Sequence, residues 1–228
     1  MMTTRRRRPR RRRSGNLYMR LEVGGIVVLL VVLLAISIHI IRKQTRDVQA
    51  IVEEEHISYK ERPELDVRLL TVNPYSRPGI ALKKVKGVVV HYTANPGTGA
   101  RQNRDYFEGL KDSHITKASS HFVIGIDGEI VQCIPTAEIS YASNERNSDT
   151  ISIECCHKDK SGKFSDRTYE SLVRLVAYLM GRFSLSTDDV IRHYDVTGKN
   201  CPKYFVENPD AWKEFKKDVN QFILDNGE

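Results

Sequence analysis

Two segments in the C-terminal two thirds of the chain have the hydrophobic pattern of β-strands. Lys86–Thr93 (KGVVVHYT) is a short apolar run followed by the loop NPGTG, which predicts a buried strand. Thr150–Cys156 (TISIECC) alternates with a period of two, so Ile151 and Ile153 share one strand face and Glu154 lies on the other. We therefore expect Glu154 to stand outside the main core.

Other segments predict a hairpin and three helices. HFVIGI and EIVQCI flank the dipeptide Asp127-Gly128, a strong hairpin signal. Apolar residues at helical spacing predict a helix over Asp166–Phe183, and Arg101–Lys111 reads as another. A last helix begins at NPDAW, where Asn208 takes the cap position. The alternation predicts an α/β fold with a central mixed β-sheet flanked by helices.

The N-terminal region has a different pattern. Val23–Ile41 holds nineteen residues without a charge, which is enough for one transmembrane helix across a hydrocarbon core of roughly 30 Å. A secretory signal is the competing interpretation, but its apolar core is about 7–15 residues and a small-x-small cleavage site follows it. This run is longer and continues into IRKQTRD, so we predict an uncleaved anchor.

These patterns divide the chain into four parts. Residues 1–22 form a basic cytoplasmic tail, and residues 23–41 form the transmembrane helix. Residues 42–70 are charged and poor in aromatic residues, which predicts a stalk or linker, either partly helical or without fixed structure. The turn-forming NPYSRPG then marks entry to a folded domain, predicted over residues 71–228.

The charge distribution supports this division of the chain. The formal net charge is +7, but residues 1–22 hold nine Arg and one Glu, which leaves −1 for the remaining 206 residues. The domain therefore has no basic excess for binding nucleic acid, and we expect no nucleic-acid partner. The tract RRRRPRRRR at Arg5–Arg13 precedes the apolar run and predicts a cytoplasmic N-terminus with the domain outside the membrane.

The cysteine count leaves the redox state open. Four cysteines in an exported chain first suggest two disulfides. Cys155 and Cys156 are adjacent and cannot easily bridge each other, whereas Cys133 could pair with either of them.

One short stretch suggests a metal site. IRHYDVTGKNCP places His193 and Cys201 eight positions apart beside Gly198. Catalytic zinc sites usually have three protein ligands and a water, and His91 at the end of the apolar strand is the strongest third candidate. His121 opens HFVIGI, and we expect it near the metal without binding it. Ordinary core or surface roles are expected for the other histidines: His39, His56, His114 and His157.

Four motifs, in order, then resemble one known family. They are HYTAN at His91, SSHFVIGIDGEIVQ at Ser119, TISIEC at Thr150 and RHYDVTGKNCP at Arg192. They resemble the zinc-dependent N-acetylmuramoyl-L-alanine amidases, which include phage lysozyme-type amidases and the peptidoglycan-recognition proteins. The resemblance runs from about Asn73 to the C-terminus.

The resemblance implies specific roles for five residues. His91, His193 and Cys201 would hold Zn²⁺, while Glu154 and Lys199 would act on the substrate. The chemistry of the residues agrees, because a carboxylate can transfer protons between water and a leaving amine, and an ammonium can stabilise a developing oxyanion.

The sequence also departs from the family pattern. The family often has Tyr before the His of the HF strand, where this chain has Ser120. Many relatives have a WHA-type segment where this chain has SYASN, ending at Asn144. We expect Asn95, Tyr141 and Asn144 to contact the substrate.

The resemblance implies a membrane-anchored peptidoglycan hydrolase that cleaves the amide between N-acetylmuramic acid and L-alanine of the stem peptide. Two alternatives stay open: a peptidoglycan-binding module without catalysis, and a zinc peptidase acting within the stem peptide. The expected location is the cell membrane of a Gram-positive bacterium, with peptidoglycan as the partner.

Overall fold

The computed structural model describes residues 30–43 and 57–228. Residues 30–43 are helical and exposed, and Ser37 Oγ donates to the Leu33 carbonyl at 2.9 Å. In the described residues, no helix combines the length and the apolar character needed to span a bilayer. The predicted basic tail lies outside the described residues, as does the first part of the predicted span, residues 23–29.

A six-stranded sheet forms the centre of the compact unit Ile57–Glu228. The strands are β1 Asp66–Val67, β2 Gly87–Tyr92, β3 Phe122–Ile124, β4 Ile130–Gln132, β5 Thr150–Cys155 and β6 Val190–Arg192. Their spatial order is β1-β4-β3-β5-β2-β6, and every neighbouring pair is parallel except β3 and β4. This confirms the predicted mixed sheet.

Helices cover both faces of the sheet, as the sequence predicts. Five follow residue 57: α1 Ala100–Ser113, α2 Asp166–Phe183, α3 His193–Thr197, α4 Lys203–Glu207 and α5 Pro209–Asn226. The long helices α2 and α5 pack together on one face, over a core that includes Ile151, Ile153 and Phe215. Helix α1 packs on the other face, where Phe107 and Leu110 join a second core cluster.

Two local predictions can be compared with the structure directly. Asp127-Gly128 forms the turn between antiparallel β3 and β4, and Gly128 has a φ of +89°, which a residue with a Cβ rarely adopts. Asn208 does precede α5, but its side chain makes no cap bond to that helix. Its carboxamide donates instead to the Tyr204 carbonyl at 2.9 Å.

The predicted stalk is wrong over its last part. The compact unit begins at Ile57 rather than at residue 71. Tyr59 and Leu70 are buried in the two core clusters, and Asp66–Val67 pairs with β4 as an edge strand. Burial of these apolar side chains fixes a segment whose charged composition resembles a linker.

The start and the end of this unit are joined. Ser58 and Glu228 exchange two backbone hydrogen bonds of 3.1 and 3.2 Å. The Tyr59 ring packs edge-on against Phe222 of α5, and the Tyr59 backbone lies against Gly181 near the end of α2. We call these contacts of Ser58, Tyr59 and Glu228 the clasp. Because α2 leads from the C-terminal end of β5 back toward the start of β6, the clasp lies at the edge of the sheet opposite the strands' C-terminal ends.

Candidate metal centre

The parallel strands bring the three predicted ligands to one edge of the sheet. His91 lies near the C-terminal end of β2, and His193 begins α3 directly after β6. Cys201 lies two residues before α4, and its carbonyl accepts a hydrogen bond from the Tyr194 amide at 2.8 Å. All three side chains are buried, and their donor atoms lie within 4.8 Å of one another.

The spacing of these donor atoms suits a small tetrahedral ion. Cys201 Sγ lies 3.8 Å from His91 Nδ1, and the two imidazole centroids are 4.7 Å apart. Zinc bonds of about 2.3 Å to sulfur and 2.0–2.1 Å to nitrogen would place such a pair about 3.6 Å apart. The residues present therefore fit the ion that the sequence pattern implies.

Hydrogen bonds occupy the outer nitrogens of both histidines. His91 Nε2 lies 3.1 Å from Ser143 Oγ, and His193 Nε2 donates to Asn144 Oδ1 at 3.0 Å. These contacts leave both Nδ1 atoms for the centre of the cluster. Asn144, which we predicted to contact substrate, is thus engaged with a candidate ligand. No pattern in the sequence pointed to Ser143.

The electrostatics of the cluster favour ligation over protonation. Burial lowers the pKa of His91 well below its usual value, and His193 and Lys199 lower it further. Burial also lowers the pKa of His193. Burial raises the pKa of the Cys201 thiol to about 12, so a thiolate at this position requires a cation as its partner.

Glu154 lies beside the cluster with one oxygen unpaired. It is the register partner of His91 across the β2–β5 pair, so both side chains lie on the same face of the sheet. Its Oε2 is buried and has no hydrogen-bond partner in the described part of the chain. Burial raises the pKa of Glu154 to about 8, and the Lys199 ammonium opposes this rise.

Lys199 lies on the exposed loop between α3 and Cys201. This loop begins at Gly198, which ends α3 with a φ of +76°. The ammonium acts electrostatically on Glu154 and on both histidines, so it lies close enough to influence the cluster.

Comparison with known proteins agrees with this geometry. The family model for N-acetylmuramoyl-L-alanine amidase matches residues 81–204, more than half of the chain and all three candidate ligands. This chain belongs to that family.

Individual relatives are similar to this chain over about two thirds of its length. CwlL of Bacillus licheniformis, an N-acetylmuramoyl-L-alanine amidase, is 37% identical over 164 residues, covering 67% of this chain and 45% of CwlL. BlyA of Bacillus subtilis, also an N-acetylmuramoyl-L-alanine amidase, is 34% identical over 171 residues, covering 66% of this chain and 45% of BlyA. The chain thus spans less than half the length of these two relatives. The catalytic domain of XlyA from Bacillus subtilis superposes with a TM-score of 0.58 at 26% identity, covering 69% of this chain and 99% of that domain.

Two other residues of this amidase-family domain that we predicted to contact the substrate, Asn95 and Tyr141, lie on segments that also carry residues of the candidate site. Asn95 is exposed in the turn after β2, where its carbonyl accepts from Thr98 Oγ1 at 2.7 Å. Tyr141 lies two residues before Ser143, and the Lys117 ammonium stands 5.6 Å from its ring centroid. The substrate contacts of both residues stay predictions.

His121 has a role within the sheet. Its Nδ1 accepts from the Ser152 amide at 3.0 Å, and its Nε2 donates to the Glu138 carbonyl at 2.8 Å. Burial lowers the pKa of His121 to about 4. Ser120, where the family often has Tyr, is buried and donates to the Phe122 carbonyl at 2.7 Å.

A second residue that sequence reasoning missed is Arg192. Its guanidinium forms a 2.7 Å ion pair with Asp195 and donates to the Phe205 carbonyl at 3.1 Å. It also stacks near the rings of Tyr194 and Trp212. Arg192 thereby joins the segment that carries His193 to the one that follows Cys201.

All four cysteines are free. Cys155 faces the hydrophobic core under α2. Cys156 faces the opposite side of the sheet, where it joins the second hydrophobic core cluster under α1 together with Cys133. Adjacent residues of an extended strand point to opposite faces, which explains why the two neighbours do not bridge each other.

Proposed function

We propose that this domain hydrolyses the amide bond between N-acetylmuramic acid and L-alanine in the stem peptide of peptidoglycan. The observation that carries the proposal is the His91–His193–Cys201 cluster with the unpartnered Glu154 carboxylate beside it. Family membership supports the substrate class, since the curated relatives are named as N-acetylmuramoyl-L-alanine amidases.

His91, His193 and Cys201 are the residues that would hold zinc. Two neutral imidazoles and one thiolate leave the centre with a net single positive charge. When bound, the ion would supply a Lewis acid that polarises the scissile carbonyl and lowers the pKa of a water molecule to about 7. The three ligands also favour catalysis over a purely binding role, because recognition alone needs no such site.

Glu154 is the proposed general base and acid. Its buried carboxylate has one oxygen free to accept a proton from the attacking water. Its raised pKa then lets it return that proton to the leaving nitrogen, because a carboxyl that titrates near neutral pH exchanges protons in both directions.

Lys199 is the proposed partner for the developing negative charge. Its ammonium is on an exposed loop and already influences the electrostatics of Glu154. A cation at this position stabilises an oxyanion more than it stabilises the neutral carbonyl, which is the difference that accelerates the reaction.

We infer that residues 23–41 anchor the chain in the cell membrane of a Gram-positive bacterium, with residues 1–22 in the cytoplasm and the domain outside. The uncharged run and the preceding Arg tract support this orientation, and the Bacillus relatives support the type of envelope. Protease added to intact, wall-stripped cells should digest the domain, whereas full protection would reverse the orientation.

The activity is tested with the purified full chain and cell-wall peptidoglycan, with and without a zinc chelator. We expect mass spectrometry to show released stem peptides that begin with a free L-alanine amine, and we expect the chelator to abolish their release. Fragments cut within the stem peptide would instead identify a peptidase. Zinc binding without any cleavage would leave only a recognition role.

The matched variants are Glu154→Gln and Glu170→Gln. Glu154→Gln should retain about one equivalent of zinc but lose roughly 10²–10⁴-fold in turnover, the usual contribution of a positioned general base. Glu170 is exposed on α2, so its substitution should change neither quantity. Full activity of Glu154→Gln would remove Glu154 from the mechanism, and loss of zinc would make it a ligand.

A further inference from the structure

One short segment contacts both candidate ligand histidines from outside the cluster. Ser143 and the 3₁₀ turn Asn144–Ser148 lie between β4 and β5. Ser143 Oγ lies 3.1 Å from His91 Nε2, and the neighbouring Asn144 accepts from His193 Nε2 at 3.0 Å. Two adjacent residues therefore meet two ligands that are far apart in sequence.

These contacts determine which imidazole nitrogen is left to bind a metal. The Asn144 Oδ1 atom is only an acceptor, so His193 carries its proton on Nε2 and keeps the Nδ1 lone pair. Ser143 Oγ can accept from His91 Nε2 in the same way, which leaves His91 Nδ1 directed toward Cys201 Sγ at 3.8 Å. The segment thus favours the tautomer that both rings need.

A third side chain fixes the segment. Asn147 Oδ1 accepts from the Ser143 amide at 2.6 Å and from the Ala142 amide at 3.0 Å. Asn144 has a φ of +52°, a left-handed conformation that Asn tolerates better than most residues. In the described part of the chain, Asn147 has no hydrogen bond to either histidine, but its carboxamide holds the backbone of the residue that touches His91.

We propose that Ser143, Asn144 and Asn147 form one positioning unit that orients both imidazoles for the metal. The unit increases zinc affinity by fixing the tautomer and ring orientation of two ligands before the ion arrives. This inference rests on the metal site of the proposed function but not on the reaction that the site carries out. It predicts that the three residues act together rather than independently.

The sharpest comparison is Asn144→Gly with Asn144→Asp in the full chain. Both residues accept a positive φ, but only Asp keeps an acceptor for His193 Nε2. Zinc affinity, measured by competition with a chromophoric chelator, should fall roughly 10–100-fold in Asn144→Gly and be retained in Asn144→Asp. Equal affinity of the two variants would overturn the role of Asn144.

Asn147→Ala tests the coupling. We expect a loss of zinc affinity comparable to that of Ser143→Ala, and the double variant should lose less than the product of the two single losses. Asn220→Ala, at an exposed position on α5, is the control and should bind zinc like the unaltered chain. Independent, multiplicative losses would contradict a single positioning unit.

A readout without metal separates positioning from general destabilisation. Nitrogen-15 NMR of the metal-free chain should show His193 with its proton on Nε2, and a mixture of tautomers in Asn144→Gly, while thermal unfolding of the two stays similar. An unchanged tautomer in Asn144→Gly would overturn the inference even if amidase activity is found. Conversely, these tautomers can be observed if the chain proves to have no amidase activity, so the two failures are distinguishable.

Discussion

Glu154 is the residue at which burial and chemistry conflict most directly. A carboxyl that titrates near 4.5 in the unfolded chain has its pKa raised to about 8 by burial in the folded domain. Between these two values the folded state holds a proton that the unfolded state has released. The free energy of unfolding must therefore decrease as the pH rises through this window, by at most about 1.4 kcal/mol per pH unit.

This sign gives a prediction for the metal-free protein. From pH 5 to pH 8, the free energy of unfolding should fall more steeply in the unaltered chain than in Glu154→Gln, which cannot titrate. Urea unfolding at a series of pH values measures both slopes, and the other titrating groups cancel in the comparison. Parallel slopes would mean that Glu154 ionises at its usual pKa in the fold.

The chemistry of the side chains allowed the candidate site residues to be predicted from the sequence, but not the residues that hold them in place. His91, His193, Cys201 and Glu154 belong to residue types that bind metals or move protons, and they occur in recognisable motifs. Ser143 is an ordinary residue type in a segment without a motif that indicates chemistry. Its contact with His91 arises from the path of the chain between β4 and β5, which no local pattern encodes.

Among the elements, the connection from β6 through α3 to α4 depends on one arginine. Arg192 combines an ion pair, a backbone hydrogen bond and two ring contacts, and its side chain is only 14% exposed. A lysine cannot reproduce the planar, bidentate geometry, so Arg-to-Lys substitution is not conservative at this position.

We therefore expect Arg192→Lys to lower the free energy of unfolding by about 1.5–3 kcal/mol, the range for hydrogen bonds to charged groups. Zinc affinity should fall as well, because the substitution loosens the segments that carry His193 and Cys201. Arg167→Lys is the control, since that side chain is 73% exposed and forms one ion pair of 3.8 Å. Equal stability of the two variants in urea would show that the Arg192 contacts contribute little.

The length of an element decided whether it could be predicted. Helix α2, strands β2 and β5 and the β3–β4 hairpin each contain enough residues or a strong enough turn to show a period. Strand β6 has three residues, and α3 and α4 have five each, so no repeat is visible in them. Their positions follow from tertiary contacts such as those of Arg192.

For the whole molecule, the segment ahead of the predicted domain boundary belongs to the fold. Composition misled the prediction because residues 42–70 are charged on average, although Tyr59 and Leu70 are only 6% and 1% exposed. A single buried side chain produces no period, so a charged average conceals it.

We predict that residues 57–228 are markedly more stable than residues 71–228 expressed alone. The shorter fragment loses Tyr59, Leu70 and the pairing of β1, and burying each large apolar side chain contributes about 1.5–3 kcal/mol. The difference in free energy of unfolding, measured in urea, should therefore exceed about 3 kcal/mol. Identical unfolding midpoints of the two fragments would mean that residues 57–70 add no stability and act only as a linker.

The clasp between Ser58 and Glu228 also has a mechanical consequence. Any force applied through the chain ahead of Ile57 enters the domain at the ends of α2 and α5, because Tyr59 packs between Gly181 and Phe222 there. The candidate ligands lie at the other edge of the sheet, beyond the full length of the parallel strands. Tension would break the two backbone hydrogen bonds of the clasp and displace Tyr59 before it acted on His91 or His193. The domain can therefore be held firmly at one end while the geometry of its candidate metal centre stays unstrained.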